Sequence, residues 1–179
     1  SMGQGIQTIK AADEAIEAIT SFAQQAKAIA NTARDTAPKT VSSSGTYTAP
    51  TGSAGTIKID VTLEDGTKTS VSASVAEDGD IDDAATALET ALNADGTGVA
   101  DADGTIVKGF KVEVVGGQLK ISNSGNVNAT VSNTDAAGAG LGLSFSGTVD
   151  NTDRQSSMKQ YNDILSQIDQ LAKDASYKG

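Results

Sequence analysis

The 179-residue sequence predicts an α+β chain: an antiparallel two-helix hairpin, its halves at the two ends, carrying an inserted small α+β domain of strands with one packed helix. Three observations predict it. At both ends apolar residues recur in alternating steps of three and four, the spacing of one face of a helix. In the middle they alternate with polar residues in steps of two, the spacing of a half-buried strand. Charge divides at the same places. Residues 1–36 hold four acidic and three basic side chains and residues 153–179 hold four of each, whereas the middle holds 15 acidic and six basic.

Ser1-Met2 ahead of Gly3 reads as a cloning remnant and is set aside, so the first helical segment is 3–37. From Ile6 to about Thr36 the chain has no Gly or Pro and is rich in Ala, Ile and Gln. Ile9, Ile16, Ala23 and Ala30 form one heptad row, and Ala12, Ile19, Ala26 and Ala33 form the other. Phe22 and Ile29 widen that seam on one side. Ala, Gln, Glu and Lys are good helix formers, so propensity agrees with pattern. A helix of about 30 residues is about 45 Å long, and Pro38 stops it.

Residues 38–152 form the inserted domain. Thr56-Ile57-Lys58-Ile59-Asp60-Val61-Thr62-Leu63 alternates polar and apolar, and Lys68 to Val75 returns across an Asp65-Gly66 turn, a favoured hairpin pair. Asp80-Ile81-Asp82-Asp83 opens a short helix, because acidic side chains suit the positive N-terminal end. Its inward face is Ile81, Ala84, Ala85, Leu88 and Leu92. Strands follow at Phe110–Val115, Gln118–Ser122 and Val127–Ser132, with Gly116-Gly117 as the hairpin between the first two. Ala136 to Leu143 is a Gly/Ala loop, and Leu143 to Val149 forms a last strand.

The second helical segment is 153–179. Met158, Tyr161, Leu165, Ile168, Ala172 and Ala175 keep the three-four spacing, and Ile164 and Leu171 broaden the stripe. Asp153 is the expected N-cap and Gly179 the expected left-handed C-terminal turn. A pair of helices cannot bury broad stripes on both members. Phe22, Ile29, Ile164 and Leu171 are therefore expected to face further helices, and the chain is expected to self-associate through these arms.

Composition excludes much chemistry. The chain has no Cys, His or Trp, so disulfides, thiol nucleophiles, Ser-His-Asp triads and zinc sites of the usual kind are ruled out. No catalytic residue, metal ligand or cofactor is expected. A net charge of −10 repels polyanions, so no nucleic-acid partner is expected. No run of 18 apolar residues exists to span a membrane.

The arms resemble bacterial flagellin. Its N-terminal rod segment reads roughly A-L-x-x-I-x-x-x-L-Q-R-x-R-E-L-A-x-Q. Here the run is Ala15-Ile16, Ile19, then Ala23-Gln24-Gln25-Ala26-Lys27-Ala28-Ile29-Ala30-Asn31-Thr32. The next flagellin helix ends in a stretch like L-x-x-I-D-R-x-A-x-x-T-x-F-N-G. Here it is Leu165, Ile168-Asp169-Gln170, Ala172 and Ala175-Ser176-Tyr177-Lys178-Gly179, with Gln170 in place of Arg and Lys178 in place of Asn. The middle is similar to a module of flagellins and hook-associated proteins. The shared pieces are the Asp65-Gly66 hairpin, the helix from Asp80 ending in Leu92-Asn93, the Gly116-Gly117 hairpin and Leu141-Gly142-Leu143.

The resemblance implies a secreted, extracellular structural subunit whose partners are other flagellin subunits. Its arms would form part of the filament's inner shell, and its inserted domain would project outward. It also implies packing roles for Ile9, Ile16, Ile19, Phe22, Ala23, Ala26, Ile29, Ala30, Tyr161, Leu165, Ile168 and Ala172. Gln24, Gln25, Lys27, Ala28 and Ile29 fall where many flagellins present the surface read by an innate-immune Toll-like receptor. With Gln25 for Arg and Ala28 for Glu, charge-assisted contacts of roughly 1.5–3 kcal/mol each are lost, so weak or absent receptor activation is expected.

Blander and rival readings stand beside these. Asp101-Ala102-Asp103-Gly104 has the start of a calcium loop, but no Glu closes it, and an ordinary Asp-Gly turn is expected. The Ser and Thr of the inserted domain could accept O-linked glycans, although no local sequon specifies this. The metalloprotease that some flagellins carry needs His-Glu-x-x-His, which is absent here. A junction protein of the same apparatus and an adhesin-like binding module are the alternatives. The second needs an aromatic-bearing surface, and the domain's aromatics are Tyr47, Phe110 and Phe145.

Overall fold

A computed structural model describes residues 1–178, with side chains through Ala175. The described residues are α+β, with three helices and two antiparallel sheets, and the chain divides into two compact units. Ser1–Ala37 and the chain from Asp153 onward form one, and Pro38–Thr152 forms the other.

Helix α1 runs Met2–Asp35 and helix α3 runs Thr152–Lys178. The start of α1 lies four residues before the expected Ile6. The Ser1 hydroxyl accepts from the Gln4 amide at 3.5 Å, a cap that draws Gly3 and Gly5 into the first turns. Thr36 is already extended, two residues ahead of Pro38. At α3 the expected cap moves as well. Asp153 lies inside the first turn, and the Asp150 carboxylate accepts from the Thr152 amide at 2.8 Å. The turn expected at Gly179 lies outside the described residues.

In the second unit, β2 (Gly55–Leu63) is central to a four-stranded sheet of order β3-β2-β6-β7. Its neighbours are β3 (Lys68–Val75) and β6 (Ala129–Asn133), and β7 (Ser146–Val149) closes the far edge. The second sheet, β1-β5-β4, joins β1 (Val41–Ser42), β5 (Gln118–Asn123) and β4 (Phe110–Val115). Helix α2 (Ile81–Leu92) packs on β3 of one sheet and β4 of the other. The alternation read along β2 holds: Ile57, Ile59 and Val61 are fully buried, and they share one core with Leu88, Leu92, Leu119, Ile121 and Phe145.

The strand expected at Val127–Ser132 begins two residues late. Asn128 is taken out of the ladder by its own side chain, which accepts from the Asn151 amide at 2.6 Å and donates to Glu64 at 2.6 Å. The last strand begins at Ser146 because Leu143 closes a tight loop on Gly140 instead. Strand β1 has no counterpart in the sequence reading, since two residues are too few to show a period. It nonetheless seats Val41 opposite Ile121, fully within the core.

Candidate assembly surface of the helical unit

Along α1 the shielded side chains are Ala12, Ala15, Ala18, Ile19, Phe22, Ala26, Ile29 and Ala33, and Ala26 is the most buried of them. Along α3 they include Arg154, Ser157, Tyr161, Ile164, Ile168, Leu171 and Ala175. Apart from Ala18, which borders the α1 row, both sets step by three and four, so each helix presents one heptad seam. The start of α1 and the end of α3 share a cleft of about 260 Å³, lined by Ala11, Ala15, Ala18 and Glu14 from one and by Leu171 and Asp174 from the other. At the opposite end an Arg154 guanidinium N–H donates to the Thr36 carbonyl at 3.5 Å.

The seam differs from the sequence expectation in phase, not in period. Of the twelve packing positions, Ile19, Phe22, Ala26, Ile29, Tyr161 and Ile168 are shielded. Ile9, Ile16, Ala23, Ala30, Leu165 and Ala172 are exposed, Ile9 at 68% and Ile16 at 61%. Conversely Phe22, Ile29, Ile164 and Leu171, expected to await further helices, are half-buried within this unit. The physical reason on α1 is area. Over residues 22–30 Phe22 and Ile29 remove more apolar surface from water than Ala23 and Ala30, and once the partner helix seats there Ile9 and Ile16 of the other row stay outside.

What remains outside the seam is itself ordered. On α1 the exposed large apolar residues are Met2, Ile6, Ile9 and Ile16; on α3 they are Met158 and Leu165. All but Ile6 hold one heptad position, immediately beside the seam, and Ile6 borders it. The flank on the other side of each seam includes Ala11, Glu14, Ala18 and Gln25 on α1, and Asp163 and Asp174 on α3.

The segment compared with a receptor-binding surface wraps around α1. Gln24, Gln25, Lys27 and Ala28 are exposed, whereas Ile29 lies in the seam. The Gln25 amide is turned toward Ser21 on its own helix, at 3.4 Å. Farther along, Arg34 and Asp35 pair at 3.0 Å, which lowers the Asp35 carboxyl and raises the Arg34 guanidinium.

The inserted domain uses its candidate residues for its own fold. One Asp101 oxygen accepts from the amides of Asp103 and Thr105 at 3.0 and 2.9 Å, an Asp-Gly turn with Gly104 left-handed. Phe110 and Phe145 are buried in the core, and the Tyr47 hydroxyl donates to the Gly79 carbonyl at 2.7 Å. Burial is the first cause that raises the Tyr47 hydroxyl above its ordinary value, and the nearby Asp80 and Asp83 charges add to it. Among the described residues no helix is long and apolar enough to cross a membrane. No protein-family model matches the chain, and no curated protein matches it significantly.

Proposed function

We propose that this chain is a structural segment of a bacterial flagellar filament subunit, related to flagellin. Its terminal helices form an antiparallel rod segment within the filament's inner shell, and its inserted domain projects outward. The observation that carries the reading is the interrupted helical unit. The chain completes one helix, folds a self-contained α+β unit, and returns to a second helix belonging to the same unit as the first. The pairing of chain ends across the cleft and at Arg154–Thr36 supports the antiparallel sense. The flagellin-like motifs lie on these two helices from Ala15 to Thr32 and from Leu165 to Lys178. On this reading the protein is extracellular, its partners are further subunits, and its role is mechanical rather than catalytic.

Two measurements test it. Because the chain has no cysteine, Ala12→Cys with Ala175→Cys, two positions lining one cleft, reports the helix pairing cleanly. An intrachain crosslink of the two thiols by a short bis-maleimide, in the monomer band, is expected, and crosslinking between chains alone overturns the antiparallel pairing. Gold-labelled antibody against residues 38–152 is expected to decorate filaments of the source bacterium along their length. Labelling confined to the base of the filament favours the junction-protein alternative, and labelling of cells without filaments overturns the assignment. The adhesin alternative is the weaker one, because Phe110 and Phe145 are spent in the core rather than displayed.

A further inference from the structure

A sheet edge presents a row of unpaired backbone N–H and C=O groups, and the edges of the inserted domain are covered unequally. On either side of β7, Lys39 exchanges backbone hydrogen bonds with Asp150 at 2.9 and 3.1 Å, and Ser44 with Ser144 at 2.8 and 3.0 Å. On β4 the Asn93 side chain takes both the N–H and the C=O of Phe110, and the Val112 N–H donates to the Glu89 carboxylate at 3.0 Å. The outer edge of β3 has no such cover. Among the described residues, no hydrogen bond reaches the backbone of residues 68–75 except from β2. The Ala100 amide stops at the Thr69 hydroxyl, at 3.3 Å.

The register identifies the groups left over. The hairpin closes with the Leu63 N–H donating to the Thr67 carbonyl at 2.9 Å. Hydrogen-bonded and non-hydrogen-bonded pairs alternate along an antiparallel ladder. Counting from that closure, Thr69, Val71, Ala73 and Val75 turn their backbone groups to β2, and Lys68, Ser70, Ser72 and Ser74 turn theirs outward. All four outward residues are exposed. From Thr69 to Ala76 the edge has no charge, no proline and no bulge, the devices by which natural edges refuse a further strand.

Both ends of this edge are acidic. Glu64 and Asp65 stand before it, and the Ala102 amide, donating to Asp65 at 3.2 Å, brings the Asp101–Asp103 turn to the same end. Glu77 and Asp78 stand after it. Lys68 is held by Asp60 at 2.7 Å, and no other basic residue occurs between Lys58 and Lys108. A second copy is therefore the wrong occupant. Paired antiparallel with Lys68 opposite Ser74, two such edges would set Glu77 and Asp78 of each against Asp65 and Glu64 of the other. Paired in parallel, they would set the same carboxylates side by side.

We propose that the β3 edge binds an extended segment of a partner protein, which adds antiparallel to β3 as a further strand of its sheet. The segment's backbone pairs with Lys68, Ser70, Ser72 and Ser74. Its alternate side chains are branched and apolar beside Val71 and Ala73, and small and polar beside the serines. Basic residues at its two ends meet the carboxylates at the two ends of the edge. The proposal rests on the fold of the inserted domain alone, so it stands or falls apart from the flagellar assignment and from the pairing of α1 with α3.

Residue-resolved amide hydrogen exchange of the full 179-residue chain tests it, with a synthetic peptide that alternates valine and threonine between paired lysines. At a peptide concentration about ten times its dissociation constant, exchange at Ser70, Ser72 and Ser74 is expected to slow about tenfold. The amides of Val71 and Ala73, already bonded to β2, are expected to change little. The same peptide with glutamates in place of lysines is expected not to bind, and raised salt to weaken the lysine peptide. Ser72→Pro removes an outward N–H where proline is tolerated, because that group lies outside the ladder. With circular dichroism matching the unaltered chain, this variant is expected to lose the peptide. Should it fail to fold, N-methylation of the peptide makes the same test on the unaltered chain: methyl groups on the amides facing β3 are expected to abolish binding, and methyl groups on the intervening amides to spare it. Binding retained by Ser72→Pro or by the peptide methylated on the facing amides, equal binding of the glutamate peptide, or no slowing at millimolar lysine peptide overturns the proposal. Slowing at these serines that appears without peptide and grows with protein concentration identifies a second copy as the occupant and overturns it equally.

Discussion

Asp60 stands on central strand β2, on the face away from the core, yet is only 3% exposed. Its carboxylate accepts from Lys68 at 2.7 Å, Ser70 at 2.5 Å and Thr134 at 3.1 Å. The Lys68 bond first, and then the two hydroxyls, hold its carboxyl below the ordinary carboxylate value. A depressed folded-state pKa contributes stability that is fully present above the unfolded value and is lost as pH falls through the folded one. Urea unfolding is therefore expected to show a domain that loses stability as the pH is taken below about 4, with a smaller loss in Asp60→Asn. At neutral pH Asp60→Ala is expected to cost about 1–2 kcal/mol, since it removes three hydrogen bonds whose partners Lys68, Ser70 and Thr134 are exposed and can be solvated by water. The alternation from Thr56 to Leu63 was legible in the sequence, but it assigns Asp60 to solvent. Its burial comes from side chains on β3 and after β6, which no local pattern reveals. Gly140 is a second such residue. A Cβ there would lie 2.2 Å from the Thr56 carbonyl oxygen, and its φ is +100°. Gly140→Ala is expected to cost at least about 2 kcal/mol in the same unfolding measurement.

At the scale of elements, whatever depends on neighbours along the chain could be read, and whatever depends on distant partners could not. Helix α2 is the clear case of the first. Asp80 and Asp83 form a reciprocal capping box at 2.9 and 3.0 Å, as the acidic start implies. The Leu92-Asn93 ending carries a tertiary role that the motif alone conceals. Asn93 donates to the carbonyls of Glu89 and Phe110 and accepts from the Phe110 amide, tying the helix end to β4. Asn93→Ala is expected to destabilise the domain by about 1–3 kcal/mol and Asp80→Ala by about 1 kcal/mol, read from denaturant midpoints. In α1 and α3 the heptad period was legible and the phase was not, because two apolar rows compete for one seam and only the partner helix decides between them. Helical melting followed by circular dichroism separates the rows. Phe22→Ala is expected to cost about 2 kcal/mol, whereas Ile16→Ala in the monomer is expected to stay within about 0.5 kcal/mol.

At the scale of the whole molecule, the decisive feature is how residues 38–152 are joined to the helices. Lys39 and Asp150 exchange backbone hydrogen bonds at 2.9 and 3.1 Å, so the domain begins and ends at one point. A domain whose ends already meet can be inserted between two helices without either helix having to deform. Its core is also its own: both sheets and α2 contribute to one cluster, and none of its described members lies on α1 or α3. Most of the net charge of −10 lies there too, consistent with a body that faces solvent while the nearly neutral helices pack. Two cooperative units of such different make-up have no reason to melt together. Calorimetry of the full chain is expected to resolve two transitions. The lower belongs to the helical unit, whose residues are mostly exposed or half-buried, and the upper to the inserted domain. Residues 38–152 expressed alone are expected to keep the upper transition within a few degrees and to lose the lower one. A single transition in the full chain, or an isolated domain that fails to fold, would mean that the helices supply part of the domain's stability, and the insertion would then be structural support rather than a separable passenger.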